Sequence, residues 1–345
     1  MENPATDQNQ DLASVIVPTY NRASLIVHTL NSIRSQTYRP IEVIIVDDGS
    51  IDDTQQRVEE WCEDVEEAEA FYLVYLWHEN SGVTIARNRG FEASHGEYIQ
   101  FLDSDDLLHE EKLTDQIGAL QVHSACDFAF SRWEYFGESI PGYDAYWADE
   151  FRPHRDLLIN LMLQEDRRHY LPLHTGSTLY RREFCRELGG WDEDLSGPDD
   201  VVYNIRVLIS ARDFCYVPRV QMFARKTRGE HVSGLLSSAE AAENYILGLD
   251  RIREILANSG HLTPYRRFLL GKSLFFLAWA AFAAKAPRAG EHAIRRALTI
   301  CPASTMRLLA AFTRWLNILG VTASAPVVQA VWKKVPEGLK RAIKW

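Results

Sequence analysis

Residues 101–108 read "FLDSDDLL" and place Asp103, Asp105 and Asp106 within four positions. Like charges this close repel one another unless something neutralises them. A hard divalent cation would, because it takes oxygen ligands, and Mg²⁺ in particular uses one or two carboxylates together with substrate phosphates. The plainer explanation is that Asp105 or Asp106 caps a following helix. A second cluster is "VDDGSIDDT", where Asp47 and Asp48 close an apolar run and Gly49 permits a tight turn. A carboxylate there can accept the imide N–H of uracil; a turn with an N-cap at Asp52 or Asp53 is the structural alternative. In "PTYNR", Tyr20 offers a flat ring against which a base can stack, although such a tyrosine is more often filler. "NSGVTIARNRG" carries Arg87 and Arg89. An arginine turned toward a diphosphate pairs bidentately with its oxygens, and a solvated helix face is the alternative, above all for Arg89. "GGWDEDLSGPDDVVYNIRV" puts Asp199 and Asp200 at the start of a helix. Negative charge there is favoured by the helix dipole; the chemical alternative is a general base taking a proton from a hydroxyl.

These residues need elements to hold them. "SVIVP" is a short apolar strand, and Ile26, Leu30 and Ile33 follow at helical spacing. "IEVIIV" is apolar without alternation, which suits a strand covered on both faces. "DDTQQRVEEWCE" reads as a helix, "FYLVYLW" as a strand, "GVTIARNRGFEASHG" as a helix ending at Gly96, and "EYIQFLD" as a fourth strand. This alternation predicts an α/β fold with a mostly parallel sheet. Ligands of such folds bind beyond the carboxyl ends of the strands, where Tyr20, Asp47, Asp48 and Asp103–Asp106 fall. Further on, "CDFAFSRWEYF" and "CYVPRVQMFARK" read as strands, and "RPHRDLLINLML" and "DDVVYNIRVLISA" as helices. From about residue 237 only helices are expected.

The 345 residues are 46% hydrophobic, enough for a real core. The five cysteines are scattered, odd in number and without a C-x-x-C pair. They give no sign of a disulfide framework or a structural zinc site, and suit a reducing cytosol. "MENPATDQNQ" has no basic and apolar signal-peptide pattern. The net charge of −11 is unevenly spread: residues 261–345 hold 14 Lys and Arg against two acids (+12), and residues 1–260 hold 23 against 46 (−23). The acidic part excludes nucleic acid as an expected partner, since phosphate contact needs a positive face.

Together, "SVIVPTYNR", "IIVDDGSIDDT", "NSGVTIARNRG", "YIQFLDSDD" and "GGWDEDLSGPDD", in this order, resemble the family-2 glycosyltransferases, inverting enzymes of the GT-A fold. The resemblance covers roughly residues 13–235. It implies a Rossmann-like mixed sheet flanked by helices, and a sugar transferred from a nucleotide-sugar donor, a UDP-sugar here, to a glycan or lipid-linked acceptor. It implies that Pro18 and Tyr20 line the base pocket, that Asp48 binds uracil and that Arg87 helps hold the nucleotide. Asp103 and Asp105 match the D-x-D motif, Asp103 near the ribose and Asp105 toward Mn²⁺ or Mg²⁺, with Asp106 sharing metal or ribose contact. Asp200 stands in the place of the catalytic base; the family usually has Glu-Asp where this chain has Asp199-Asp200. "GEHVSG" resembles a later motif that makes His231 a metal or diphosphate ligand, and "HTGSTLYRRE" resembles the segment lining the donor-sugar and acceptor site. Two other classes compete: a sugar nucleotidylyltransferase, which would show a Gly-rich phosphate loop that "PTYNRAS" lacks, and a non-catalytic carbohydrate-binding protein keeping the fold.

The expected division is a polar tail (1–12), the catalytic domain (13–236) and a basic helical region (237–345). "SLFFLAWAAFAA" is too short to span a bilayer. Trp315, Trp332 and Trp345 mingle with Lys333, Lys334, Lys340, Arg341 and Lys344, which suits the headgroups of an anionic membrane. For 240–310 a helical subdomain packed on the catalytic part is the preferred expectation. The overall expectation is a cytoplasmic protein, peripheral at the membrane face.

Overall fold

The computed structural model describes residues 11–64, 70–137, 151, 153–163, 172–226, 238–302 and 307. The chain divides into two compact units: residues 1–162 with 167–229, and residues 163–166 with 230–345.

The first unit is built on an eight-stranded mixed sheet ordered β3-β2-β1-β4-β7-β6-β8-β5. Strands β1 (Ala13–Thr19), β2 (Ile41–Asp47), β3 (Phe71–Trp77) and β4 (Tyr98–Phe101) run parallel. They are joined through helices α1 (Ile26–Arg34), α2 (Thr54–Asp64) and α3 (Val83–Ala93). β1 and β2 are buried along their whole length, as their unalternating apolar sequences require. Beyond β4 the sheet turns mixed. After β5 (Leu107–Leu108) and α4 (Lys112–Val122) comes the long β6 (Cys126–Gly137), then α5 (Arg155–Met162) and a 3-10 turn at Thr175–Ser177. β7 (Thr178–Arg181) then runs antiparallel between β4 and β6, followed by α6 (Arg182–Leu188), α7 (Asp199–Ser210) and β8 (Asp213–Lys226). β8 pairs parallel with β6 and antiparallel with β5.

Two local expectations are corrected. Helix α3 ends at Ala93 and its cap, Ser94, is extended, so Gly96 is not its left-handed terminator. A Cβ at Gly96 would lie 2.5 Å from Leu12 O, so the glycine serves the close approach of the α3–β4 turn to β1. The helix-capping alternative for Asp105 and Asp106 also fails. The element after them is β5, and α4 begins only at Lys112 with Glu111 as its N-cap.

The second unit contains α8 (Ala239–Asn258), α9 (Pro264–Ala283) and α10 (Pro287–Ile300). Ser238 and Thr263 cap α8 and α9 through their side chains, and Pro264 occupies the first turn of α9. Arg296 on α10 pairs with Asp250 on α8 at 2.5 Å, so part of the C-terminal positive charge is matched within this unit. Among the described residues no helix is long and apolar enough to cross a membrane.

Candidate active site

The carboxyl ends of β1, β2 and β4 converge on one edge of the sheet, and the acidic clusters lie there. β4 stops in register with Ile16, so Pro18 lies past that ladder and its missing N–H removes no bond to β4. Pro18 is buried, whereas Tyr20, just beyond β1, is 44% exposed.

Asp47 and Asp48 are both buried at the end of β2. Asp47 accepts the hydroxyl of Tyr75 and, at 2.7 Å, the Ser50 N–H. That second bond closes the turn at Gly49, whose φ of +79° only glycine adopts freely. Asp48 Oδ1 accepts Ser81 N–H at 2.7 Å and Oδ2 accepts Gly82 N–H at 2.9 Å, with His78 Nδ1 3.4 Å away. The carboxylate expected to read uracil therefore already ties β2 to the start of α3, and one lone pair remains on each oxygen. Asp52, not Asp53, accepts the Thr54 N–H at the start of α2.

Arg87, expected to help hold the nucleotide, has two carboxylate partners. It is buried, with Nη2 2.8 Å from Asp103 Oδ1 and Nη1 2.7 Å from Asp199 Oδ2. Its guanidinium lies 4.3 Å over Trp191, which stacks on Tyr203 at 4.0 Å and 4°. One prong thus meets a carboxylate of the D-x-D motif and the other a carboxylate at the start of α7. Burial disfavours the charged guanidinium, but Asp103 and Asp199 together raise its pKa. Asn88, the next residue, fastens the Trp191 segment. Its Oδ1 accepts Trp191 N–H at 2.7 Å and its Nδ2 donates to Trp191 O at 3.1 Å. Arg89 is exposed.

The three motif aspartates have distinct surroundings. Asp103 and Asp105 keep 33% and 32% of their side chains exposed. Burial opposes ionisation of Asp103, yet Arg87 wins and keeps its pKa below the ordinary carboxylate value. Asp105 is raised, by burial and by the neighbouring Asp103 charge, with Arg22 Nε 3.8 Å away. Asp106 is buried and raised well above the ordinary value by burial and then by Asp103 and Asp105. It accepts Arg225 N–H at 2.9 Å, which pins β8 beside the motif, while Arg225 Nε donates to Asp105 O at 3.0 Å.

Asp199 and Asp200 begin α7. Asp200 Oδ1 accepts Val201 N–H at 2.7 Å. Burial, and then the Asp199 charge, push the Asp200 pKa up to about 7. That value lies near an ordinary working pH, where a general base is most effective.

His174 is the residue of "HTGSTLYRRE" that reaches this site. Its ring packs 4.7 Å from Trp133, and its Nδ1 accepts Gly176 N–H at 3.3 Å. Burial lowers its pKa to about 4, so the ring is neutral at physiological pH. A buried relay of two side-chain amides and the Lys112 amino group, whose pKa burial lowers well below the ordinary value, supports the turn. Lys112 Nζ donates to Gln100 Oε1 and, at 2.9 Å, to Gln116 Oε1. Those glutamines in turn donate to Gly176 O (3.1 Å) and Ser177 O (3.0 Å).

A divalent cation fits this donor set in a limited way. Among the described residues no three His, Cys, Asp or Glu side chains form a complete metal site. Asp103 and Asp106 accept hydrogen bonds from the protein, whereas Asp105 has a longer ion pair with Arg22, and burial and Asp103 disfavour its charge. One or two carboxylates completed by ligand phosphates is the manner in which Mg²⁺ is usually held. His231 lies outside the described residues. Arg22, Arg225, His174 and Trp191 were not singled out from sequence, because nothing local distinguishes them from ordinary surface or core residues.

The sequence profile described as "Glycosyl transferase family 2" matches residues 14–189, which includes β1 through β7 and every acidic cluster up to Asp106. The chain belongs to glycosyl transferase family 2. Among curated members of the family, the glycosyltransferase TuaG of Bacillus subtilis, named for teichuronic acid biosynthesis, is 38% identical over 140 residues. That alignment covers 41% of this chain and 52% of TuaG. Glycosyltransferase GlyA of Streptococcus pneumoniae is 28% identical over 274 residues, 75% of this chain and 37% of GlyA. The chain thus spans about half or less of these relatives' lengths. Among solved structures, S. aureus TarS 1–349 in complex with UDP-GlcNAc superposes with a TM-score of 0.62 at 23% identity, covering 90% of this chain and 89% of that one. The mannosyltransferase PcManGT of Pyrobaculum calidifontis, in complex with GDP-Man and Mn²⁺, gives 0.53 at 18% identity, covering 90% and 86%. At these identities the likeness establishes the fold, a GT-A-type mixed sheet.

Proposed function

We propose that this protein is a metal-dependent inverting glycosyltransferase that moves a sugar from a UDP-sugar to a hydroxyl of a glycan or lipid-linked acceptor, in polysaccharide or glycoconjugate synthesis. The observation that carries the reading is the Arg87 bridge between Asp103, within the donor motif, and Asp199, beside Asp200. It puts a carboxylate of pKa about 7 next to the crevice where the donor's diphosphate would lie. The donor reading is supported by the UDP-GlcNAc bound to TarS, and divalent metal use by the Mn²⁺ bound to PcManGT. The acceptor class is supported by the name of TuaG.

In this reading Tyr20, Pro18 and Asp48 hold the base and Asp103 lies toward the ribose. Asp105, with Asp106 beside it, would hold Mn²⁺ or Mg²⁺ shared with the diphosphate. Such an ion would supply Lewis-acid neutralisation of the departing UDP. Asp200 takes the proton of the acceptor hydroxyl as its oxygen forms the bond to the anomeric carbon. The bond from that carbon to the diphosphate breaks on the opposite face, and the anomeric centre inverts. Arg87 acts on this step indirectly, by fixing the first turn of α7. His174, neutral and half-buried, can donate through Nε2 to a sugar or acceptor oxygen.

A panel of nucleotide sugars, assayed for hydrolysis and transfer with Mn²⁺, Mg²⁺ and EDTA, tests the reading. Turnover of no donor, with nucleoside triphosphate and sugar phosphate condensed instead, would favour a nucleotidylyltransferase. Sugar binding without turnover would favour a carbohydrate-binding protein. We further propose that the region from about residue 237 is a separate basic module whose last part, 311–345, contacts anionic membrane. Each basic residue near such a surface contributes roughly 1 kcal/mol. Binding to phosphatidylglycerol vesicles should therefore weaken steeply with salt, and indifference to vesicles at low salt would remove that proposal.

A further inference from the structure

Away from the crevice, the sheet brings together two cysteines that lie 89 positions apart in sequence. Cys126 opens β6 and Cys215 lies on β8, and their Sγ atoms are 2.6 Å apart, both buried. The regular ladder does not make them direct partners: Cys126 is in register with Asp213, and Ala129 with Cys215. The register shifts between Cys126 and Phe128, so that Asp127 has no partner in the ladder. Asp127 pins that irregularity. Its carboxylate accepts Arg212 N–H at 2.6 Å and Arg212 Nε at 2.9 Å, just before β8 begins. A disulfide needs its sulfurs at about 2.05 Å, and these two already lie 2.6 Å apart without a bond between them.

We propose that Cys126 and Cys215 are a site of reversible thiol–disulfide exchange, at which a small disulfide such as glutathione disulfide converts the two thiols into an intramolecular bridge. Cys126 is the thiol that reacts first. It directly follows the exposed run 121–125; its N–H donates to His123 O (3.0 Å) and its carbonyl accepts Arg181 Nε (3.0 Å). Cys215 is covered by α4, where its thiol meets Ala119 O at 3.6 Å. The Cys126 thiolate attacks one sulfur of glutathione disulfide and releases one glutathione thiolate. The Cys215 thiolate then attacks Cys126 Sγ in the mixed disulfide and releases the second. Two protein thiols are oxidised to one disulfide, one glutathione disulfide is reduced to two glutathione thiols, and the two protons pass to those thiols. Burial raises both protein thiols, Cys215 to about 12, so exchange is slow and proceeds through opening of the first residues of β6. Once formed, the bridge would tie β6 to β8 and close a covalent loop containing β7, α6 and α7 with Asp199 and Asp200. It would stabilise chiefly by restricting the unfolded chain.

The full-length protein, native and also refolded from denaturant, is incubated with glutathione disulfide, then denatured, alkylated without reduction and analysed by peptide mass spectrometry. The expected result is loss of two of the five thiols. A single cross-linked peptide pair should carry Cys126 and Cys215, and the oxidised protein should melt several degrees higher. The cross-link should vanish in both Cys126→Ser and Cys215→Ser and persist in Cys62→Ser. Five alkylated thiols after both treatments, a glutathione adduct at either cysteine that the other never resolves, or a bridge to a different cysteine would each overturn the proposal.

Discussion

Arg87 Nη1 stands 2.7 Å from Asp199 Oδ2, joining the middle of α3 to the first turn of α7 across 112 residues of sequence. The same guanidinium reaches Asp103 at 2.8 Å, so one buried cation orders carboxylates from two separate motifs. Most of the chemical expectations for this protein turn on that arrangement.

Asp200→Asn should lower transfer by ~10²–10⁴-fold, the range of a general base, with UDP affinity nearly unchanged. Asp199→Asn should be milder, since Asp199 orients rather than accepts the proton. Steady-state rates beside calorimetry with UDP separate the two effects. A larger loss from Asp199→Asn would move the base assignment to Asp199.

The rate should depend on pH through the pair Asp199–Asp200. Asp200 must be ionised to take a proton, and its pKa is pushed up to about 7. Turnover should therefore climb about tenfold per pH unit below that point and level off above it. A profile flat from pH 5 to 8 would exclude Asp200 as the base.

Stability should show the same group with the opposite sign. Unfolded aspartates titrate near ~4, so between about 4 and about 7 the folded protein binds the extra proton. The contribution of Asp200 to stability then falls as pH rises through that window. Asp200→Asn escapes this loss, so its melting temperature relative to wild type should improve from pH 5 to pH 8. An identical difference at both pH values would mean the carboxyl is not shifted.

Replacing Arg87 with Met leaves Asp103 and Asp199 facing one another without their cation. Removing one partner of a buried ion pair costs about 3–5 kcal/mol, here toward the lower end because a third of Asp103 is open to solvent. The pKa of Asp200 should also rise, since the Arg87 charge opposes its upward shift. Denaturant titration and the pH–rate profile read these two effects. Arg87→Lys should recover part of both, keeping the charge but losing the fork that spans two carboxylates.

Asp105→Asn should bring the UDP affinity measured in Mn²⁺ down to the value measured in EDTA, leaving the EDTA value nearly the same. Wild-type affinity that is equal in both conditions would remove the metal from the proposal.

Much of the first unit was legible in the chain itself. The apolar runs at 15–18 and 43–46 are buried on both faces within β1 and β2, as a covered parallel strand requires. The acidic clusters at strand ends were legible for the same reason: each stands where a strand pattern stops. Other features depended on three-dimensional closure. β7, four residues long, carries no period that separates it from a loop, and it exists because β4 and β6 offer edges on either side. The direction of Arg87 was not readable either. An arginine on a helix pairs with whatever the fold brings near, and only the docking of α7 brought Asp199 there. The contact of Cys126 with Cys215 depends on the pairing of β6 with β8, which joins residues 89 positions apart, and spacing along the chain is blind to that. Sequence settles local period and charge, because those come from neighbouring residues. Partner identity and pKa come from burial and long-range approach, and these were settled by the tertiary structure alone.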